Sequence, residues 1–228
     1  ADHGSIEPDA VLGEPSGDGV TLYVTSKSPH SDQTEVARVL GLPREKVRIV
    51  CATVGGSFGG KPDIPLLCMA GMATLRLRRP VKLTMDRQEC FAAKVKRHPF
   101  RMEMTHAVAA DGALLGVKVD LLADAGAYAL SSPSVVAKGL AHATGPYRVP
   151  NVELHARAAY TNNPCTSAVR GYGVPQVVFA AERQMDIIAR RLGMDPYELR
   201  LRNALRPGDT TATGQTLAGA SLTRALER

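Results

Sequence analysis

"VGGSFGGKPD", residues 54–63, stands between a β-branched run, "KVRIVCATV" at 46–54, and an apolar run rich in Ala, Leu and Met, "IPLLCMAGMATLRLRR" at 64–79. Strand, glycine loop and helix follow one another as in a P-loop. Gly55, Gly60 and Lys61 fit the G-x-x-x-x-G-K-[ST] pattern. Pro62 does not, since it has no hydroxyl to hold magnesium. Two readings of the loop remain: its glycines permit a tight turn, or they let backbone N–H groups face an anion. A second glycine-rich loop, "AVRGYGVPQ" at 168–176, sets Arg170 and Tyr172 among glycines just before a long helix. Two such loops would close on one buried ligand, with Arg170 meeting an anionic group and Tyr172 offering a flat apolar wall.

The flanking pattern predicts the elements. "VTLYVTS" at 20–26 reads as a strand, and "SDQTEVARVLG" at 31–41 as a helix that starts at Ser or Asp and ends at Gly41 and Pro43. The 46–54 run reads as a buried strand, and 64–79 as a buried helix. "PVKLTMD" is a strand and "DRQECFAAK" a short helix. Two strand-like runs flank Asp111-Gly112, a hairpin signal. Residues 132–145 read as a short helix, 151–161 as a strand, and 177–193 as an amphipathic helix. Asp195-Pro196 opens a further helix, with Pro at its first position. After a Gly- and Thr-rich tail, "SLTRALER" restarts a helix. Strands and helices mix without strict alternation. The fold class is therefore α+β (mixed α/β), with mixed sheets and packed helices, and a sub-boundary near residues 80–100.

Composition narrows the function classes. Of 228 residues, 44% are apolar, enough for a sizeable core. The net charge of +6 comes from 28 Lys and Arg spread along the chain, and no aromatic RNA-binding signature accompanies the densest stretches. We expect neither nucleic acid nor a membrane as partner; no apolar run is long enough to span a bilayer. Cys51, Cys68, Cys90 and Cys165 form no C-x-x-C pair and no zinc or iron–sulfur spacing. Cys51 and Cys68 lie in apolar runs and read as small core residues. Nothing demands a disulfide, so a reducing, cytoplasmic compartment is expected. The chain does not begin with Met, and reads as processed or cut from something longer. His30, His98, His106, His142 and His155 are scattered and suggest no triad.

The two loops, taken with their neighbours, carry a resemblance. "GGSFGGK", "AVRGYGVPQ" and "FAAERQMDIIARRLGMDPYELRLRN" occur in that order, supported by "HGSIEPDA", "SPHSDQTEVARVLGLP", "RPVKLTMDR", "RHPF", "GPYRVPN" and "TNNP". Together they resemble the molybdenum hydroxylase family, the xanthine dehydrogenase and aldehyde oxidase group, in its molybdopterin-binding large subunit. The match runs over essentially the whole chain. The resemblance implies a first molybdopterin-binding domain over residues 1–228, as a fragment or a naturally split subunit. It implies an oxidoreductase that hydroxylates a purine, N-heterocycle or aldehyde with oxygen from water. The cofactor would be molybdopterin with molybdenum, as the cytosine dinucleotide. FAD and 2Fe-2S clusters would sit on partner chains, and the partners would be the second half of the Mo-binding subunit, an iron–sulfur subunit and an FAD subunit.

Residue by residue, the resemblance puts Gly56, Ser57, Phe58 and Gly59 beside the metal and the pterin, and Arg170 and Gly171 close to molybdenum. Phe58 and Tyr172 would meet the substrate. The family's glutamine before "SPH" is replaced here by Lys27. Its xanthine-specific Glu and Arg positions hold Pro62 and Lys138, so Lys27 and Lys138 are further candidates at the substrate, and Lys138 reads equally as a surface lysine. No catalytic residue and no protein metal ligand is assigned: the family's general-base glutamate lies in a "G-E-P"-like C-terminal segment, and the letters "LGEP" at 12–15 fall in an N-terminal loop. Two rival readings remain open. One is a cofactor-less scaffold or assembly remnant; the other is an anion- or nucleotide-binding protein that uses Lys61.

Overall fold

The computed structural model describes residues 3–220 and 222–227. The chain divides into two compact units, residues 1–96 and 97–228, and each is described by itself. The fold is mixed α+β. Among the described residues it has seven helices and two mixed sheets.

The first unit is built on β1 (Ala10–Ser16), β2 (Gly19–Val24), β3 (Val47–Cys51) and β4 (Val81–Thr84), in the order β3-β2-β1-β4. β1 runs antiparallel to β2 and β4, whereas β2 and β3 are parallel because helix α1 (Pro29–Leu40) crosses between them. The letters "LGEP" therefore lie within β1, not in a loop. Small and β-branched residues there alternate buried and half-buried, a two-residue period that the proline and glycine hide in the sequence. α1 starts two residues before the expected Ser, with Pro29 in its first turn.

Helix α2 (Ile64–Leu77) packs Leu66, Leu67 and Ala70 on Val11, Val20, Leu22 and Val36. Its other face is open: Met69 and Met72 are 50% and 55% exposed. The expectation of a helix buried all round is thus corrected, since only one stripe of it meets the sheet. β3 is an edge strand and only half-buried, and Cys51 at its end is exposed rather than in the core, whereas Cys68 is buried. Helix α3 (Arg87–Ala93) opens with a reciprocal capping box between Asp86 and Glu89.

The second unit carries β5 (Phe100–Val108), β6 (Leu114–Gly126) and β7 (Val152–Tyr160), in the order β5-β6-β7. The hairpin at Asp111-Gly112 forms as expected, and β7 returns parallel to β6 after helix α4 (Ser132–Ala141). Helices α5 (Val174–Leu192) and α6 (Pro196–Asn203) close the core over Val117, Val119 and Leu121. Buried Asn203 joins two elements. Its side-chain oxygen accepts from Leu114 N–H, and its amide donates to the Gly112 and Leu199 carbonyls, each at 2.9 Å. Glu182 accepts from Tyr147 Oη at 2.7 Å and from Arg200 Nε at 2.8 Å, and Asp186 takes the guanidinium's other end at 2.8 Å. Burial first, and then the Glu182 carboxylate, hold the Tyr147 phenol well above its ordinary range. Helix α7 (Leu222–Leu226) lies within the predicted restart over 221–228, whose first and last residues fall outside the described ones. All four cysteines are free. No described helix is long and apolar enough to cross a membrane.

Leu67 of α2 is fully buried in the first unit's core. Leu67→Ala is expected to cost about 3 kcal/mol in urea unfolding. Met72→Ala on the open face should cost under about 1 kcal/mol. A Leu67 penalty no larger than that of Met72 would contradict the packing described.

Candidate functional site

The glycine loop of the first unit turns sharply at its aromatic residue. Gly60 N–H donates to Ser57 C=O at 2.9 Å, closing a turn around Phe58 and Gly59, whose φ angles are +50° and +102°. Such values suit glycine and strain a bulky residue. The Phe58 ring is nonetheless 43% exposed. Ser57 Oγ accepts from Lys61 N–H at 3.3 Å, so this hydroxyl also shapes the loop internally. Gly56 and Gly59 are half-buried beside it.

Lys61 does not project into an open cradle. Its side chain is 1% exposed, and Nζ lies 2.7 Å from Glu7 Oε2, an ion pair by distance although not aligned as a hydrogen bond. The same Glu7 oxygen accepts from Gly55 N–H. Burial works against the Glu7 charge, but the Lys61 ammonium, Gly55 N–H and Thr25 hydroxyl outweigh it and hold the carboxyl below its ordinary value. A Cβ on Gly55 would lie 2.7 Å from Glu7, and one on Gly60 2.6 Å from the His3 ring. These glycines make room for the N-terminal segment. The start of α2 is occupied by Asp63, whose carboxylate accepts from Leu66 N–H at 3.3 Å. A P-loop would keep that helix start free for phosphate and its lysine free to reach it. Neither condition holds.

The second unit repeats the device with different supports. Tyr172 has φ +52° and sits between Gly171 and Gly173, at +92° and +90°. Of four non-glycine residues with positive φ among those described, two are thus the aromatic residues of the two loops. A Cβ on Gly173 would meet the Val135 carbonyl at 2.3 Å, so α4 and the loop touch backbone to backbone. Arg97 Nη2 donates to the Arg170 carbonyl at 3.0 Å and Nη1 reaches Gln176 Oε1 at 3.4 Å. Buried His98 shares a 2.7 Å hydrogen bond with Ser132 Oγ, and burial pushes its imidazole below the usual value. Arg170 and Gly171 are exposed and Tyr172 is half-buried.

Lys138 projects from α4 into solvent, with its carbonyl accepting from His142 Nδ1 at 2.8 Å. Lys27 is exposed after β2; burial holds the Asp32 carboxyl above its ordinary value, and the Ser26 hydroxyl and then the Lys27 charge offset only part of that. Each unit thus gathers its own loop residues, with Lys27 in the first and Lys138 in the second.

The sequence profile of a family described as "Molybdopterin cofactor-binding domain" matches residues 1–204. The chain belongs to this molybdopterin cofactor-binding family. The large molybdopterin subunit of nicotinate dehydrogenase from Eubacterium barkeri is 44% identical over 94% of this chain and 51% of its own length. The xanthine dehydrogenase molybdenum-binding subunit of Escherichia coli O157:H7 is 38% identical over 92% of this chain and 28% of its own. Among solved structures, the aldehyde oxidoreductase from Desulfovibrio gigas superimposes with a TM-score of 0.87 and 35% identity, over 99% of this chain and 25% of that one. The chain thus spans about half or less of the relatives it matches. It is part of a molybdopterin-binding subunit of the molybdenum hydroxylases, and its relatives are named as subunits of larger enzymes.

For this molybdopterin-binding domain, Glu7, His3, Arg97 and Gln176 are the site-shaping residues that motif reading did not single out by role. Glu7 lies in "HGSIEPDA" and Arg97 in "RHPF", so position in the family pattern was their one visible signal.

Two outcomes follow. Phe58→Gly and Tyr172→Gly should leave the thermal midpoint unchanged or raised, because relief of left-handed strain, about 1 kcal/mol or more, offsets the lost contacts of a part-exposed ring. A fall of more than about 4 °C in either would refute strain at these positions. His98 is neutral when folded, with its pKa below the unfolded value near 6.5. As pH drops below about 6.5 the unfolded chain takes up the proton first, and stability falls. His98→Gln should flatten that fall between pH 7.5 and 5.5 in calorimetry, leaving the part due to His106, whose imidazole burial also lowers. An unchanged slope would remove His98 from the account.

Proposed function

We propose that this chain forms the first molybdopterin-binding half of a molybdenum hydroxylase large subunit. The assembled enzyme hydroxylates a purine, N-heterocycle or aldehyde with oxygen from water. The observation that carries the reading is the pair of loops in which an aromatic residue, Phe58 or Tyr172, is held in left-handed backbone beside glycines. A planar ligand gives a reason to keep a part-exposed ring at such an angle. The 44% identity with a nicotinate dehydrogenase subunit favours an N-heterocycle among the three substrate classes.

The residues present fit the cofactor. Gly56, Ser57, Phe58 and Gly59, and Arg170 and Gly171, are the residues we propose to hold it. Backbone N–H groups and a guanidinium suit an anionic pterin phosphate, in the cytosine dinucleotide form, and bind it without groups that titrate near neutrality. When bound, molybdopterin would supply the two-electron oxidation; 2Fe-2S and FAD groups would sit on partner chains. Phe58 and Tyr172 would stack on the planar substrate and shield it from water. Exposed Lys138 and Lys27 would offer charge to a substrate oxygen. No residue here is given the general-base role, which belongs to the partner half of the subunit. The nucleotide-binding alternative is disfavoured by the burial of Lys61 against Glu7.

The test is the molybdenum and pterin content of the complex purified from its native host by a tag on this chain. Stoichiometric metal is expected, with iron–sulfur and flavin chains co-purifying. Metal-free complex would turn the reading to a scaffold remnant. Gly59→Val should lower molybdenum content at least tenfold, because a β-branched side chain cannot adopt φ +102° and the turn must open. Unchanged metal content in that variant would refute the loop's part in holding the cofactor.

A further inference from the structure

We propose that Glu7 is a positioning residue of the glycine loop: one carboxylate oxygen holds both of its ends, the Gly55 N–H and the Lys61 ammonium, and so sets the turn that presents Phe58. Glu7 Oε2 accepts from Gly55 N–H on one side of the turn and lies 2.7 Å from Lys61 Nζ, as an ion pair, on the other. Between the two anchored points lie residues 56–60, with Phe58 at their centre. Thr25, the residue after β2, also favours the charge of this carboxylate. Lys61 is the largest fully buried side chain among those described. A lysine charge at that depth is tolerated because a carboxylate meets it. The glycine at 55 belongs to the same device, since any side chain there would overlap Glu7. None of these groups needs to touch the cofactor; Glu7 acts through the loop.

The pairing has a definite signature. Removing one partner of a buried ion pair leaves an uncompensated charge, whereas replacing both by neutral groups of similar size is tolerated. Glu7→Gln keeps an acceptor for Gly55 N–H but leaves the Lys61 ammonium without its counter-charge. Glu7→Gln with Lys61→Met removes the charge and keeps the volume.

The experiment is hydrogen exchange by mass spectrometry on the complex purified from its native host, following residues 54–63 against β1 and β2. In Glu7→Gln, exchange at the hydrogen-bonded amides of Gly55, Gly60 and Lys61 should quicken at least tenfold while β1 and β2 keep their protection. The double variant should recover most of that protection. Unchanged loop exchange would overturn the proposal, as would loss of protection spread evenly over β1, β2 and the loop. A double variant no better than Glu7→Gln would also overturn it. If Glu7→Gln fails to accumulate, a soluble double variant with a protected loop supports the clamp, and failure of both overturns a local role. That the loop faces the cofactor rests on the function proposed above, so molybdenum content is read in the same samples. Molybdenum lost in parallel with loop protection supports positioning for the cofactor. A loosened loop that keeps its molybdenum leaves the clamp standing and overturns the cofactor-facing reading instead.

Discussion

A lysine ammonium taken almost wholly out of water is the constraint around which the first unit is arranged. Lys61 is 1% exposed, and its counter-charge comes from Glu7, far away in sequence and itself only 30% exposed. Desolvating such a charge costs several kcal/mol unless an opposite charge lies close. The segment before β1 must therefore lie along the loop. Other contacts hold it there: Lys94 pairs with Asp9 in the interior, Met85 N–H donates to the Asp9 carbonyl, and the Arg87 guanidinium donates to the Ser5 carbonyl. Gly55 and Gly60 let Glu7 and His3 approach where a Cβ would overlap them. Much of the loop's glycine content is thus demanded by the protein's own packing.

The second unit reaches the same local outcome with little buried charge. Arg97 grips the Arg170 carbonyl and Gln176 with one fork, and His98 and Ser132 share a hydrogen bond. Backbone contact between α4 and Gly173 replaces the ion pair as the element that forbids relaxation. In both units an aromatic residue is left in a backbone conformation it would not choose. Strain of this kind persists only where surrounding bonds over-determine the chain. The supports are other residues, Glu7 and Lys61 in the first unit and Arg97 and Gln176 in the second.

Legibility differed by kind of information. The helices at 64–77 and 174–192 and the Asp111-Gly112 hairpin were visible because their periodicity and turn chemistry are local. β1 was not, because Gly13 and Pro15 break its pattern, and its place between β2 and β4 is decided by pairing across the chain. Cys51 looked like a core residue inside a β-branched run, yet it ends an edge strand that only one neighbour covers. Met69 and Met72 are apolar and exposed because α2 meets the sheet along a single stripe. The aromatic and arginine positions of the candidate site were legible through motif order. Nothing local distinguished Glu7 from any other acidic residue.

The sequence by itself determined the family, the mixed α+β class and the two glycine-rich loops, since each depends on residue type at short or ordered spacing. The tertiary structure alone decided that Lys61 is a buried counter-ion rather than a phosphate ligand, and that Phe58 and Tyr172 are held at positive φ. It alone also decided which distant residues hold the loops in that shape. Burial, backbone angle and charge pairing across many residues are properties of packing, and no periodicity in a chain encodes the partner that a fold will bring to a given side chain.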